Sequence, residues 1–422
     1  MGKTITEKIL ARAAGRSEVS AGEEIAAKPD FVLAYDWPGQ TDVIFKEIRQ
    51  SFGIRKLVEP ERFGLFIDHM TPAASPNDAE FHARTRASCD EFGIAVYEHR
   101  GIGHHVASEI GYACPGGFVV HFDGHVSQLG AYGTLAMGLR RSLIEAFVSE
   151  TITMTVPHTV RVDLIGTLPA GVMARDVFHH LVRLLGPGAC RFQVLEVGGP
   201  GLSQFSTDGL QAMTGLAMFI GAVTAIVNPD DDARYAEAAS RARKNFGRVT
   251  SDADATYAAR HQVDLSQLEP IIVAPPSPAN TRDLRDYVGL EVHVGYIGSC
   301  VSGKLEDMRA AARVLQGRKV KAGFALHVVP TSQQILAQAA AEGLLQTLTE
   351  SGAYIGSSTC DYCYGRIGVM SAGQRAVSTG TLNVRGRMGH VDSEIYTCNA
   401  ATIAASAIEG RIADPRPYLE GR

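Results

Sequence analysis

Strand-like runs in this chain alternate with helical ones, and several runs end in residues that carry chemistry. In the last third, Leu290, Val292, Val294 and Tyr296 alternate as a half-buried strand should, leading through Ile297, Gly298 and Ser299 to Cys300. A helical face follows at Leu305, Met308, Ala312 and Leu315, with Ser302 placed to cap it and Glu306 and Asp307 in its first turn. A second strand over 324–329 ends at Pro330, and Ser332 opens a helix over 335–348. This order demands parallel pairing through right-handed crossovers. Sites in such sheets lie beyond the carboxyl ends of the strands, and Cys300 occupies one of those ends.

The first third reads the same way. A helical pattern at Ile5, Ile9 and Leu10 precedes a strand over 31–34, and a strand over 63–67 delivers Asp68 and His69. A long helix over 77–92 and a strand over 95–97 lead to the glycine-rich turn Gly101-Ile102-Gly103-His104-His105. A strand over 116–122 ends at Asp123, Gly124 and His125, and Gly130, Ala131, Gly133, Ala136 and Gly138 point to close backbone packing. The middle opens with Val160, Val162 and Leu164 as a strand, then a helix over 176–185, and residues 230–254 are charged and exposed. Ala274-Pro275-Pro276-Ser277-Pro278 is the clearest linker, because repeated proline continues neither helix nor central strand. Boundaries at 1–155, 156–275 and 281–422 follow.

Three cysteines stand out, Cys300 and the Cys360-x-x-Cys363 pair. Three thiolates can hold a 4Fe–4S cluster and leave one iron open as a Lewis acid. The spacing also fits a zinc site, with Cys398 or His390 as fourth ligand, or a buried pair with a chance third. Seven cysteines are an odd number and no disulfide framework, so a reducing cytoplasm is expected. Asp68-His69 and Asp123-x-His125 set a carboxylate beside an imidazole, which fixes its tautomer and supports its charged form. Singly, such histidines are more often structural. His105, His179, His180 and His390 take no role, and His179-His180 reads as structural or exposed.

A net charge of −5 without a basic block excludes nucleic acid as the expected partner. The most apolar stretch, 215–227, is shorter than the roughly 20 residues a membrane span needs. Residues 1–7 carry charge and no apolar run, so no signal peptide is expected.

Taken in order, Gly2-Lys3-Thr4-Ile5, Asp68-His69-Met70-Thr71-Pro72, Gly101-Ile102-Gly103-His104, Asp123-Gly124-His125, Ile297-Gly298-Ser299-Cys300 and Gly386-Arg387 resemble the aconitase superfamily. The likeness is to the large subunit of 3-isopropylmalate dehydratase and its homoaconitase relatives. It implies an α/β fold of three α/β/α domains around a central cluster-containing cleft, without the swivelling fourth domain. It implies Cys300, Cys360 and Cys363 as ligands of a 4Fe–4S cluster with one open iron site. It pairs His69 with Asp68, His104 with Asp123 and His125 with Glu196, and makes Arg387 a carboxylate anchor. Because the chain ends at Arg422, the catalytic serine base is expected on a separate small swivelling-domain subunit.

The family's Ser-Asn-Arg-Asn-Phe-x-Gly-Arg reads here Gly380-Thr381-Leu382-Asn383-Val384-Arg385-Gly386-Arg387, so Leu382 replaces an arginine and Thr381 an asparagine. Tyr35-Asp36-Trp37 stands where aconitases place a substrate-facing glutamine. The expectation is therefore a cytoplasmic hydro-lyase acting on a small hydroxy acid other than 3-isopropylmalate, with Tyr35, Thr381 and Leu382 in the substrate shell. A 3-isopropylmalate dehydratase-type isomerase and a non-catalytic iron or redox sensor are the rivals.

Overall fold

The computed structural model describes residues 2–139, 142–228 and 232–420; Met1, Asp230 and Arg422, named above, lie outside them. Among the described residues are three sheets with parallel cores, matching the expected mixed α/β architecture, and one small antiparallel pair, Glu24–Ala27 with Ile152–Thr155. The first has five strands, all parallel, in the order Ala95–Glu98, Phe63–Ile67, Phe31–Tyr35, Phe118–His121, Leu135–Gly138. Phe63–Ile67 and Phe118–His121 are buried throughout, as unbroken apolar runs must be when both sheet faces are covered. The second sheet has four parallel strands, Thr224–Val227, Val194–Gly198, Thr159–Ile165 and Ala259–Asp264. The third has seven. Its parallel core runs Glu394–Thr397, Arg375–Ser378, Val294–Ile297, Ala325–Val328, Tyr354–Ile355, and an antiparallel pair, Ile271–Val273 and Thr281–Asp283, extends the Glu394–Thr397 side.

Local rules explain the helix ends. Thr4 and Glu7 form a reciprocal capping box on Ile5–Ala13. Ser75 caps Pro76–Phe92, and Gly93, at φ 72°, ends it in the left-handed region. Gly130 is required by close approach, since a side chain there would strike the Ala225 carbonyl. One apolar cluster joins Phe66 and Val119 of the first sheet, Val160 and Leu195 of the second, and Cys300 and Val301, just past a strand of the third. The site thus rests on a core shared by all three sheets. No helix among the described residues is long and apolar enough to cross a membrane.

Four expectations change. The helix after Cys300 begins at Leu305 with Lys304 at its cap, because Ser302 is buried and accepts from Arg175 instead. The strand before Cys300 is only Val294–Ile297. The helix expected over 335–348 is two, Gln333–Ala341 and Leu344–Glu350, broken where Gly343 takes φ 73°. The proline stretch joins two neighbouring strands of the third sheet, Ile271–Val273 and Thr281–Asp283, so the sheet already begins before the prolines. His179 and His180 are both buried on the helix Ala174–Leu185.

Candidate functional site

In the first sheet the chain runs outward in both directions from Phe31–Tyr35, which makes the gap between that strand and Phe118–His121 a topological switch point. Asp123, just past one strand, accepts from the Tyr35 hydroxyl at the end of the other at 2.9 Å. Its other oxygen accepts from the His125 backbone at 2.8 Å and lies 3.4 Å from His104 Nε2. Burial opposes the Asp123 charge, yet the surrounding imidazoles hold its pKa well below the ordinary value. The His121 ring lies tilted against that of His104 with centres 4.8 Å apart, and burial drives it toward the neutral form.

Asp68, beyond Phe63–Ile67, lies 2.7 Å from His69 Nδ1 and accepts from the Gly103 backbone at 2.6 Å. Asp36, fully buried, accepts from the backbone of Asp68 and His69 at 2.8 and 3.2 Å. It also lies 3.6 Å from His69 Nδ1 and 3.1 Å from His82 Nε2. Burial works against a charged His69, but the carboxylates of Asp68 and Asp36 overcome it and push the pKa up to about 10. Both carboxylates thus favour the charged form of His69.

The parallel core of the third sheet repeats this topology: Val294–Ile297 is its first strand and Arg375–Ser378 its neighbour across the switch. Gly298 donates to Thr379 Oγ1 at 2.8 Å, and the Ser299 hydroxyl donates to the Thr379 carbonyl at 3.2 Å. That grip holds Ser299 at φ 98°, a conformation costing about 1–3 kcal/mol for a residue with a side chain. Arg175 gives its Nη1 and Nη2 groups to the carbonyls of Thr379 and Gly380 and to Ser302, while its buried Nε meets no protein partner. Cys300 and Cys363 are buried and Cys360 half-buried, and none is in a disulfide. Cys363 is drawn toward thiolate by a hydrogen bond from Cys360 and by Arg387, whose Nη2 lies 3.7 Å from its sulfur. Thr381 Oγ1 is 4.0 Å from the same sulfur, and Leu382 packs against the core cluster that contains Cys300.

The two edges are stitched face to face. The Asp68 carbonyl accepts from Cys360 N at 3.0 Å and from Thr359 Oγ1 at 3.1 Å. Asp361 answers in the other direction, accepting from Met70 N at 2.8 Å and Thr71 N at 3.2 Å. Gly101, at φ 125°, packs so tightly on Thr331 and Ser332 that only glycine fits. Behind the junction Lys304, with no solvent exposure, donates to Gln128 and Gln211 at 2.9 and 2.7 Å and lies 3.4 Å from His105 Nδ1. His105 in turn meets Glu109 at 3.2 Å.

The structure therefore gathers Tyr35, Asp68, His69, His104, Asp123, Cys300, Cys360, Cys363, Thr381 and Arg387 about one junction. It does not form the expected His125–Glu196 pair. His125 Nδ1 meets the Gly215 carbonyl at 2.8 Å. Glu196 lies opposite Arg161 on the neighbouring strand and pairs with it at 2.6 Å, also accepting from Ser251 and Tyr257. Arg161 falls on the expected strand of Val160, Val162 and Leu164, whereas the strand Val194–Gly198 that carries Glu196 was not expected, so their cross-strand pairing gave no signal. Sequence reasoning gave no site role to Asp36, His82, Lys304 or Asp361, whose partners come from other elements.

Three free thiols are the soft donors an iron–sulfur cluster takes. The only compact donor set among the described residues is Asp36, Asp68 and His69; the three thiols do not crowd around a single point. A cluster spreads its ligands over several irons, whereas zinc draws four donors to one centre.

The family described as Aconitase family (aconitate hydratase) matches residues 64–290 and 283–410. The 3-isopropylmalate dehydratase large subunit 1 of Methanopyrus kandleri is 36% identical over 424 residues, covering 99% of this chain and 100% of that protein. The 3-isopropylmalate dehydratase large subunit of Aquifex aeolicus is 35% identical, covering 98% of this chain and 97% of its own. Among solved structures, the holo-form of aconitase X from Thermococcus kodakaraensis matches 94% of this chain and 90% of its own with a TM-score of 0.50. At 11% identity that likeness speaks to the fold alone.

Proposed function

The chain belongs to the aconitase family, and from that premise we propose that it is the large, cluster-binding subunit of a hydro-lyase acting on a small hydroxy acid. The observation that carries this reading is the meeting of two sheet edges, one bearing carboxylate-oriented imidazoles and the other three free thiols. We read 1–155, 156–275 and 281–422 as its three units, with the last strand of the second, Ile271–Val273, paired into the sheet of the third.

Cys300, Cys360 and Cys363 would hold a 4Fe–4S cluster, which when bound supplies a Lewis-acidic iron for the substrate hydroxyl and one carboxylate. Arg387 would anchor a carboxylate: its Nε has no protein partner although the atom is buried. His104, oriented by Asp123, would give its proton to the departing hydroxyl. His69, held protonated by Asp68 and Asp36, would act as a fixed cation facing the developing charge. A small swivelling-domain subunit, implied by relatives named large subunits, would supply the serine base that removes the neighbouring carbon's proton. Glu196, tied up by Arg161, would serve the second sheet rather than the reaction, and His125 would lean on the Gly215 carbonyl.

The relatives' own names favour 3-isopropylmalate as a second reading. Against it stands Leu382, an apolar side chain where the family signature carries a guanidinium. Iron and acid-labile sulfide, measured on protein purified without oxygen, test the proposal. Three to four of each per chain are expected; zinc without sulfide would remove the hydro-lyase reading.

A further inference from the structure

Two imidazoles share the carboxyl edge of the first sheet and are held differently. His69 Nδ1 lies 2.7 Å from Asp68 and 3.6 Å from Asp36, so two carboxylates favour its charged form. His104 has one carboxylate and a longer reach to it. Its Nε2 stands 3.4 Å from Asp123, beyond the hydrogen-bond range of about 2.7–3.2 Å.

The other contacts of Asp123 explain that gap. One oxygen accepts from the His125 backbone at 2.8 Å and the other from the Tyr35 hydroxyl at 2.9 Å. Tyr35 is itself fixed. It ends the strand Phe31–Tyr35, its carbonyl accepts from Thr41 at 2.6 Å, and its ring meets Phe122 edge-on with centres 4.5 Å apart. Burial, and then the Asp123 charge, push the phenol far above its usual pKa, so it stays a donor across the physiological range. The same ring lies 4.7 Å from His69, 5.5 Å from His104 and 5.2 Å from His121. His121 Nδ1 accepts from the Asp123 backbone at 2.9 Å, and burial favours its neutral form. Asp68 accepts from Gly103, the residue before His104, at 2.6 Å. The titratable groups about His104 are thus Asp123, His121, Tyr35, His69 and Asp68.

We propose that Tyr35 is a positioning residue: by holding one oxygen of Asp123 it keeps that carboxylate from closing on His104, and so leaves His104 readier than His69 to release a proton. A carboxylate shared with a hydroxyl and a backbone N–H supports an imidazolium less than one free to pair with it. The use of that proton rests on the hydro-lyase reading, but the pairing is tested without turnover. The full chain, isotope-labelled at histidine, is followed by NMR against pH, the His104 signal being the one lost in His104→Gln. In Tyr35→Phe, which keeps the ring and its packing on Phe122, the midpoint of that signal should rise by about one pH unit. A crystal structure of the same variant should show the Asp123–His104 contact shortened from 3.4 Å to hydrogen-bond length. With Asp123→Asn already in place, Tyr35→Phe should move the midpoint no further.

A midpoint unchanged or lowered by Tyr35→Phe overturns the proposal. So does an equal shift in the Asp123→Asn background, which would make Tyr35 act without the carboxylate. A shift seen in Tyr35→Leu but not in Tyr35→Phe would reduce Tyr35 to packing and overturns it as well. Zinc in place of iron and sulfide would sink the hydro-lyase reading and leave this titration to stand or fall separately.

Discussion

The first and third sheets share one parallel topology, a central strand from which the chain winds outward in both directions, yet their carboxyl edges carry opposite chemistry. The first edge is saturated with charge: His69 between Asp68 and Asp36, His104 beside Asp123, His82 behind Asp36. The third edge is held by backbone and hydroxyl contacts through Thr379 and Ser299, and presents thiols beside one guanidinium. Topology decides where a site lies. The residues just past each strand decide whether that place moves protons or gathers soft ligands.

The sharpest way to break this division exchanges nothing but single groups. Cys300→Ala should reduce bound iron to background and abolish turnover, whereas Asp68→Asn should keep its iron and slow turnover by about 10²–10⁴-fold. Iron assays on both variants decide it; iron lost from Asp68→Asn would mean the edges do not divide the work. Next in size, Asp36→Ala leaves His69 and His82 facing a hole in a buried ionic network. Urea unfolding should register a loss of about 3–5 kcal/mol, far more than for any exposed pair such as Arg84–Glu80.

Stability against pH separates the edges further. The His69 pKa rises from 6.5 to about 10, so its stabilising contribution is complete below pH 6.5 and is lost as pH climbs to 10. Lys304 has the opposite sign. Burial lowers it from 10.5 to about 8, so its buried charge costs stability below pH 8 and that cost is relieved between 8 and 10.5. Unfolding measured from pH 6.5 to 10.5 should show Asp36→Asn flattening the falling limb and Lys304→Met removing the rising one. An unchanged slope in Asp36→Asn would refute the two-carboxylate account of His69. Smallest is Leu382→Arg, which should favour dicarboxylates over monocarboxylates by roughly tenfold, about 1.4 kcal/mol. If activity across a set of both kinds of acid is unchanged, Leu382 does not belong to the substrate shell.

Much of this was legible because parallel strands write themselves as unbroken apolar runs whose next residues are the site. Asp68, His69, Asp123 and Cys300 were visible that way. Asp36 was not, since its carboxylate works through partners on another strand and on the helix Pro76–Phe92. Lys304 drew no reading from the sequence, and only the packing around it shows it buried among two glutamines and a histidine. The His125–Glu196 pairing failed for a related reason: strand register placed Arg161 beside the carboxylate first.

The stitches between Asp361 and the Met70–Thr71 backbone join positions 291 and 290 residues apart. A chain leaving the ribosome amino-terminus first can assemble its proton-handling edge early, long before Cys360 exists. The turn carrying Cys360 and Cys363 gains these stitches only once the last strands are made and docked. Folding therefore has an order built into it: the thiols become a set last, so the cluster we propose for them would be installed in a nearly finished protein rather than a nascent one.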